Sequence, residues 1–167
     1  WPRARHALAA SAFGMMPGFF WPYSANVSLA MLTVDGATYA TVQSAFNRHV
    51  RHALFFALFF GPPPLAALAL LAGWRQWRSG WFAALAVAGL LYLLGIVVFT
   101  AQVNLPLNHT TESWDPAALP ADLAATRERW NAANLWRTGA SAAAFALALA
   151  ALVWRAATPP RRPPAPA

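Results

Sequence analysis

The sequence predicts an all-α membrane protein: a four-transmembrane-helix bundle with an outer cap made of two short amphipathic helices and a proline-containing loop. Three observations carry that prediction. Of the 167 residues, 59% are hydrophobic and only 10% are charged, where a soluble domain is charged at about 25% of its positions. The uncharged residues come in long runs: Ala7 to Val34, Ala53 to Trp74, Ser79 to Thr111 and Thr138 to Trp154 contain no charged side chain. A run of roughly 20 apolar residues is what a helix needs to cross about 30 Å of hydrocarbon. The third observation is that the arginines are distributed unevenly about those runs.

The first span is expected over residues 7–32. Gly14, Pro17, Gly18 and Pro22 lie inside it. Such residues are tolerated in membrane helices whose neighbours satisfy the freed backbone groups, and they predict a kink near Pro17–Pro22. Trp21 and Tyr23 read either as interface anchors or as residues facing a cavity. The apolar run is too long for a signal peptide, and no clear small-residue cleavage site follows it. Residues 37–52 then read as a short outer helix that runs directly into the second span. Gln43, Asn47 and Arg51 fall on one of its faces, with Val42, Ala45 and Phe46 on an apolar side.

The second span, residues 53–73, is interrupted by Gly61-Pro62-Pro63-Pro64. Each proline lacks an N–H and clashes with the preceding turn, so the helix is expected to break or bend sharply at mid-depth. The third span, residues 80–103, reads as the most regular of the four. A loop with Pro106, Pro116 and Pro120 is expected over 104–120. Residues 121–134 read as the second amphipathic outer helix, with Asp122 in its first turn where a carboxylate favours the helix dipole. It leads into a fourth span over 135–155. The membrane domain is thus residues 1–157, and the Pro- and Arg-rich stretch 158–167 is expected to be a disordered tail.

Charge sets the expected orientation. The N-terminus, the 74–80 loop and the tail carry seven arginines and no acid, whereas the two longer connections carry five arginines against five acids. Arginine near span ends is retained in the cytoplasm. Both termini are therefore expected in the cytoplasm, in the plasma membrane, with the cap outside. The net charge of +7 belongs to short span-flanking loops and forms no contiguous basic face, which excludes nucleic acid as a partner. The chain has no cysteine, which removes thiol redox chemistry, disulfides and Cys-type metal sites.

The polar residues concentrate on the cap side. Val103 to His109 read Val-Asn-Leu-Pro-Leu-Asn-His, Ser113 to Pro116 read Ser-Trp-Asp-Pro, and Arg127, Trp130, Asn134 and Arg137 follow at spacings of 3, 4 and 3. That last spacing puts four side chains on one helical face. Two guanidiniums, an indole and an amide at a membrane border need partners; the candidates are Asn104, Asn108, Asn47, Gln43 and Glu112. The same face can equally be a structural clasp, the Asn-x-Pro-x-Asn segment a helix cap, and Trp114 and Trp130 interface anchors. His49 and His52 lie three apart and His109 is on the same side. Together they form a conceivable copper or zinc set, although two surface histidines beside a basic helix would look the same.

Taken together, Asn104-x-Pro106-x-Asn108, Trp114-Asp115-Pro116, the Arg127 to Arg137 series, Pro17-Gly18 and Gln43 with Asn47 resemble the DUF1772 or anthrone oxygenase-like integral membrane family over nearly the whole chain short of the tail. That resemblance implies a four-helix membrane bundle, and for some members the oxidation of anthrones to anthraquinones in aromatic polyketide pathways. It marks Asn104, Asn108, Arg127, Trp130, Asn134 and Arg137 as the positions to watch.

The favoured function is a membrane-embedded oxygenase that takes a lipophilic, anthrone-type aromatic and dioxygen, with no cofactor. In that reading His109 or His52 is the base. Arg127, Arg137, Asn104 and Asn108 stabilise the developing oxyanion. Trp130 and Trp114 stack on the rings, and Asn134, Asn47 and Gln43 complete the binding site. The partners are the bilayer, a lipophilic small molecule, and a second copy or a membrane complex. The alternative is a non-enzymatic membrane subunit or lipid-binding, docking protein. A small transporter is the third reading, weakened because no carboxylate falls inside a span.

Overall fold

The computed structural model describes residues 2–157, so the expected disordered tail lies outside the described residues. Among these there is no β-strand, only an isolated bridge between Asp115 and Ala118. The first helix, α1 (Pro2–Pro22), passes through a π turn at Tyr23–Val27 into the single turn α2 (Ser28–Met31). The local departure from α geometry begins directly after Pro22, at the C-terminal edge of the region where the prolines predict a kink.

Asp35 starts α3 (Gly36–His49). Its extended backbone ends the preceding turn, and its carboxylate accepts from the Thr38 amide at 2.9 Å and from Thr38 Oγ1 at 2.8 Å. These bonds hold the Asp35 carboxyl below the usual carboxylate range. The helix does not run into the next one. The helix ends at Val50, the backbone turns extended at His52, and His52 caps α4 (Ala53–Phe60) by accepting from the Phe55 amide at 3.3 Å through Nδ1. A side-chain cap of this kind requires an extended residue at the junction, which is why the helices stay separate.

The proline triplet forms the first turn of α5 (Pro62–Ala72), where backbone N–H groups have no intrahelical acceptor. The two helices meet at a bend of 40°, as the sequence predicts. The prolines leave the carbonyls at the end of α4 without their usual donors. Tyr92 supplies one: its hydroxyl donates to the Phe59 carbonyl at 2.9 Å, across 33 residues of chain.

The third stretch corrects two expectations. It is the least regular of the long helices, and no loop begins at Asn104. Helix α6 (Gly80–Tyr92) continues through π segments at Leu93–Val98 and Thr100–Asn104 into α7 (Leu105–Glu112), one 33-residue helix in all. The π turn lets Leu105 donate five residues back to the Thr100 carbonyl, and Pro106 then falls in the first turn of α7, where it is tolerated. A short connection follows, and Asp122 precedes α8 (Leu123–Ala157) with its carboxylate accepting from Thr126 Oγ1 at 3.2 Å. The expected outer helix and fourth span are therefore one helix of 35 residues.

Helix α8 packs against α1 and α6, and α5 against the same two. On α8 the buried residues Ser141, Ala144, Ala148 and Ala151 form a stripe of small side chains. Small residues let membrane helices approach closely, and the larger Phe13, Met16, Trp81, Leu85, Tyr92 and Ile96 fill the space between the neighbours. Outward-facing Leu54, Leu68, Leu71, Leu90, Leu94, Leu135 and Val153 are all more than half exposed, apart from partners within the fold. Gly80–Glu112 and Leu123–Ala157 are long and apolar enough to cross a membrane, and the bent α4–α5 pair makes a third if it is one span. The chain thus has the build of a membrane protein.

Candidate functional site

The end of the molecule where α3 and α7 lie holds a cavity of about 300 Å³, the lower end of the range for small-molecule sites. Five parts of the chain build it. The end of α1 and the π turn contribute Phe19, Phe20 and Tyr23; α3 contributes Phe46, Asn47 and His49. The α3–α4 junction and α4 contribute Val50, His52 and Phe55, and α7 and α8 contribute Asn108, Trp130, Asn134 and Arg137. The aromatic rings of Tyr23 and Trp130 meet at 4.9 Å between centroids, and Tyr23 and Phe46 at 6.0 Å.

A directed series of hydrogen bonds backs the cavity. The Tyr23 hydroxyl donates to Gln43 Oε1 at 2.6 Å, Gln43 Nε2 to Asn47 Oδ1 at 3.1 Å, and Asn47 Nδ2 to Thr111 Oγ1 at 3.0 Å. The Thr111 hydroxyl ends the series on the Asn108 carbonyl at 3.1 Å. Gln43, Asn47 and Thr111 are buried, so each bond replaces a lost water and fixes an amide orientation. Trp130 Nε1 donates to Asn108 Oδ1 at 2.7 Å. Arg137 Nη2 donates to Asn134 Oδ1 at 2.7 Å, and Asn134 Nδ2 to Ser24 Oγ at 2.8 Å. The Arg137 guanidinium lies 4.6 Å over the Phe20 ring.

Trp130, Asn134 and Arg137 occupy one buried face of α8, as their spacing predicts. Arg127 continues that line outside the cavity, donating to the Met31 carbonyl at 3.5 Å and lying 5.3 Å over the Tyr39 ring. Burial pushes the Tyr39 hydroxyl up to about 12, with Arg127 pulling the other way. The expectation that an arginine would bond within Asn104–Asn108 fails: Trp130 reaches Asn108 and neither guanidinium does. The reason is reach along the helix, since Arg137 lies close enough to Asn134, one turn away, to bond it directly.

Gln43 stands behind the cavity wall, and Trp114 packs beside Tyr39 with centroids 6.2 Å apart. Asn104 is fully buried in the π turn with both amide atoms unpartnered, and it does not line the cavity. His109 is exposed on α7 and also lies outside the lining, whereas His49 and His52 are at the rim. Among the described residues no three His, Asp or Glu side chains are grouped as a metal site, so the His49, His52 and His109 set is not assembled. Between α3 and α7, Arg51 pairs with Glu112, and Arg48 donates to the Glu112 carbonyl at 3.2 Å. The residue that sequence reasoning underrated is Tyr23. Its one signal was an aromatic phenol within a proline-rich span, shared with any interface anchor.

No curated protein and no solved structure matches this chain. The sequence model of a family described as anthrone oxygenase matches residues 53–147, which takes in Asn104, Asn108, Trp130, Asn134 and Arg137 but not Pro17, Gly18, Gln43 or Asn47. The resemblance therefore covers less of the chain than its motifs imply. It still spans more than half of the 167 residues, and the chain belongs to the anthrone oxygenase (DUF1772) family.

Proposed function

We propose that this protein is a membrane-embedded oxygenase that oxidises a lipophilic, anthrone-type aromatic with dioxygen. In this reading α1, the α4–α5 pair, α6 and α8 cross the plasma membrane. The seven-to-zero arginine bias puts both termini in the cytoplasm and the cavity at the outer side. The observation that carries the proposal is the cavity itself. Aromatic walls from α1, α3, α4 and α8 surround one buried guanidinium and three amides, in a chain whose family is described by anthrone oxidation.

The chemistry asks for a base, an anion-stabilising group and an apolar slot for fused rings. His52 is poorly suited as the base. Its Nδ1 accepts from the Phe55 amide, so the neutral ring carries its proton on Nε2 and has no lone pair to offer. His49, at the rim and with no side-chain hydrogen bond among the described residues, takes that role. It removes a proton from the ring methylene, and the negative charge moves to the ketone oxygen, beside Arg137. One electron passes to dioxygen, and the radical pair combines to a peroxide at the former methylene carbon, which takes up a proton. Loss of the second C–H proton then breaks the O–O bond and expels water. One anthrone and one dioxygen thus give one anthraquinone and one water, with no further reductant. Phe19, Phe46 and Phe55 hold the rings against Trp130, Asn108 orients the oxygen edge, and Arg127 and Trp114, both against the Tyr39 ring, brace α3 beside the cavity. No organic cofactor is invoked, and copper or zinc is the alternative.

Metal analysis of the purified protein, followed by oxygen uptake with an anthrone, tests the reading. The expected result is enzyme-dependent uptake matched mole for mole by anthraquinone. A folded protein with neither uptake nor product overturns it and favours a docking or lipid-binding subunit.

A further inference from the structure

The hydrogen-bond sense of the cavity is one-sided. Every amide oxygen in the lining, and that of Gln43 behind it, already accepts a hydrogen bond: Gln43 from Tyr23, Asn47 from Gln43, Asn108 from Trp130 and Asn134 from Arg137. Apart from His49 at the rim, the groups left over are donors. Arg137 Nε is buried without a partner, and its Nη1 and Asn108 Nδ2 make no bond within the described residues. The His52 cap leaves an N–H on Nε2.

Charge is one-sided as well. The titratable side chains facing the cavity are Tyr23, His49, His52 and Arg137, with no carboxylate among them. Glu112, at the end of the helix that carries Asn108, is paired with Arg51. Tyr23 is not a hidden counter-ion, because its proton is engaged on Gln43 Oε1, and the onward bonds from Gln43 to Asn47 and Thr111 fix that oxygen's direction. Arg137, only 8% exposed, is left with an aromatic face and one amide oxygen. A buried cation without a counter-charge is costly, and a ligand can supply one.

We propose that this cavity binds its planar aromatic ligand as an oxyanion, a phenolate, enolate or ring carboxylate, in preference to the neutral form. The proposal rests on reading the cavity as the ligand site, but not on the reaction with dioxygen. Its consequence is that ionisation is assisted before any oxidant arrives.

A hydroxyanthraquinone, which cannot undergo the oxidation and whose phenolate absorbs to the red of the phenol, tests this in the wild-type protein. Bound to the protein, its acid dissociation is expected to move down by one unit or more, a tenfold or larger preference for the anion. The Arg137→Gln variant is expected to lose that shift. A merely apolar cavity would move the dissociation upward; an upward shift, no shift, or a downward shift unchanged in Arg137→Gln overturns the proposal. Should that variant fail to fold, wild-type affinities for anthracene-2-carboxylate and the matching carboxamide decide. A tenfold preference for the carboxylate is expected, and equal affinities refute it. Absence of binding by both probes refutes it together with the ligand-site reading. Binding with the expected preference but no oxygen uptake from an anthrone leaves this proposal standing and removes only the oxygenase.

Discussion

Helix α8 carries three arginines that lie over aromatic rings, and two of them, Arg137 near its middle and Arg155 near its C-terminal end, are treated differently. Arg155 lies 5.0 Å over the Trp81 ring and donates to Gln76 Oε1 at 2.9 Å. The same oxygen accepts from Trp81 Nε1 at 3.1 Å, and His6 meets the Trp81 ring edge-on at 4.8 Å. That end is closed by packing, and Gly73 adds to the closure: a Cβ there would come within 2.4 Å of the Trp81 ring. Arg137 has the same kind of ring contact but faces a cavity and keeps Nε idle. One arginine is consumed by its fold and the other is held ready. The difference separates a clasp from a site more sharply than burial does, since the buried arginine is the underused one.

The largest expected effect comes from breaking the readiness of Arg137. Arg137→Gln should lower anthrone-dependent oxygen uptake about 100-fold or more, the scale of losing one preorganised oxyanion donor. Thermal unfolding in detergent should change little, because removing an unpaired buried charge relieves as much as it disrupts. A parallel loss of uptake and of melting temperature would make Arg137 a clasp like Arg155. Next in size is His49→Ala, expected to cut uptake at least tenfold. His52→Ala should mainly destabilise α4, by about 1 kcal/mol for a lost cap, and cost less uptake per folded molecule than His49→Ala. Equal losses of uptake in the two variants would break the assignment of the base.

Tyr92→Phe sharpens the comparison from the other side. It strips the donor from the Phe59 carbonyl at the proline break, and a buried acceptor so exposed should destabilise the fold by about 1–3 kcal/mol. Uptake per folded molecule should stay near wild type; a selective loss of activity would place the break in the machinery instead. The smallest effect is expected at Asp35. Its carboxyl is held below the usual range by Thr38, so it stabilises α3 at pH values above the unfolded carboxylate range. That contribution is lost as pH falls through the folded value. Asp35→Asn keeps an N-cap and should remove this part of the acid dependence in a melting series between neutral and acid pH.

How much of this was legible in the sequence differs by element. The face of Trp130, Asn134 and Arg137 was, because a spacing of 3 and 4 on a long helix leaves no other arrangement. So was the bend at the proline triplet, since Pro62, Pro63 and Pro64 cannot all sit in a helix interior. The π segments at Leu93–Val98 and Thr100–Asn104 were not. Hydrophobic periodicity registers a change of face but not the one-residue widening that lets α6 run on past Pro106. Trp114 and His109 were read as site residues because they are polar or aromatic near the motif. The cavity instead formed where α1 meets α3, between segments whose mutual position no local pattern encodes, and there it recruited Tyr23 and Phe46.

The continuity of α8 has a metrical consequence. Arg137 and Arg155 are 18 residues apart on one uninterrupted helix, about 27 Å at 1.5 Å per residue. That is close to the hydrocarbon thickness of a thin bilayer, and thicker membranes exceed it by several ångströms. In the proposed four-span arrangement the two guanidiniums would act as the graduations of a ruler laid through the lipid. A thicker membrane cannot stretch the ruler, so at least one mark must sink below the headgroups unless the lipid thins around it. The height of the cavity relative to the water interface then becomes a function of lipid chain length, fixed by a rigid helix rather than by a hinge.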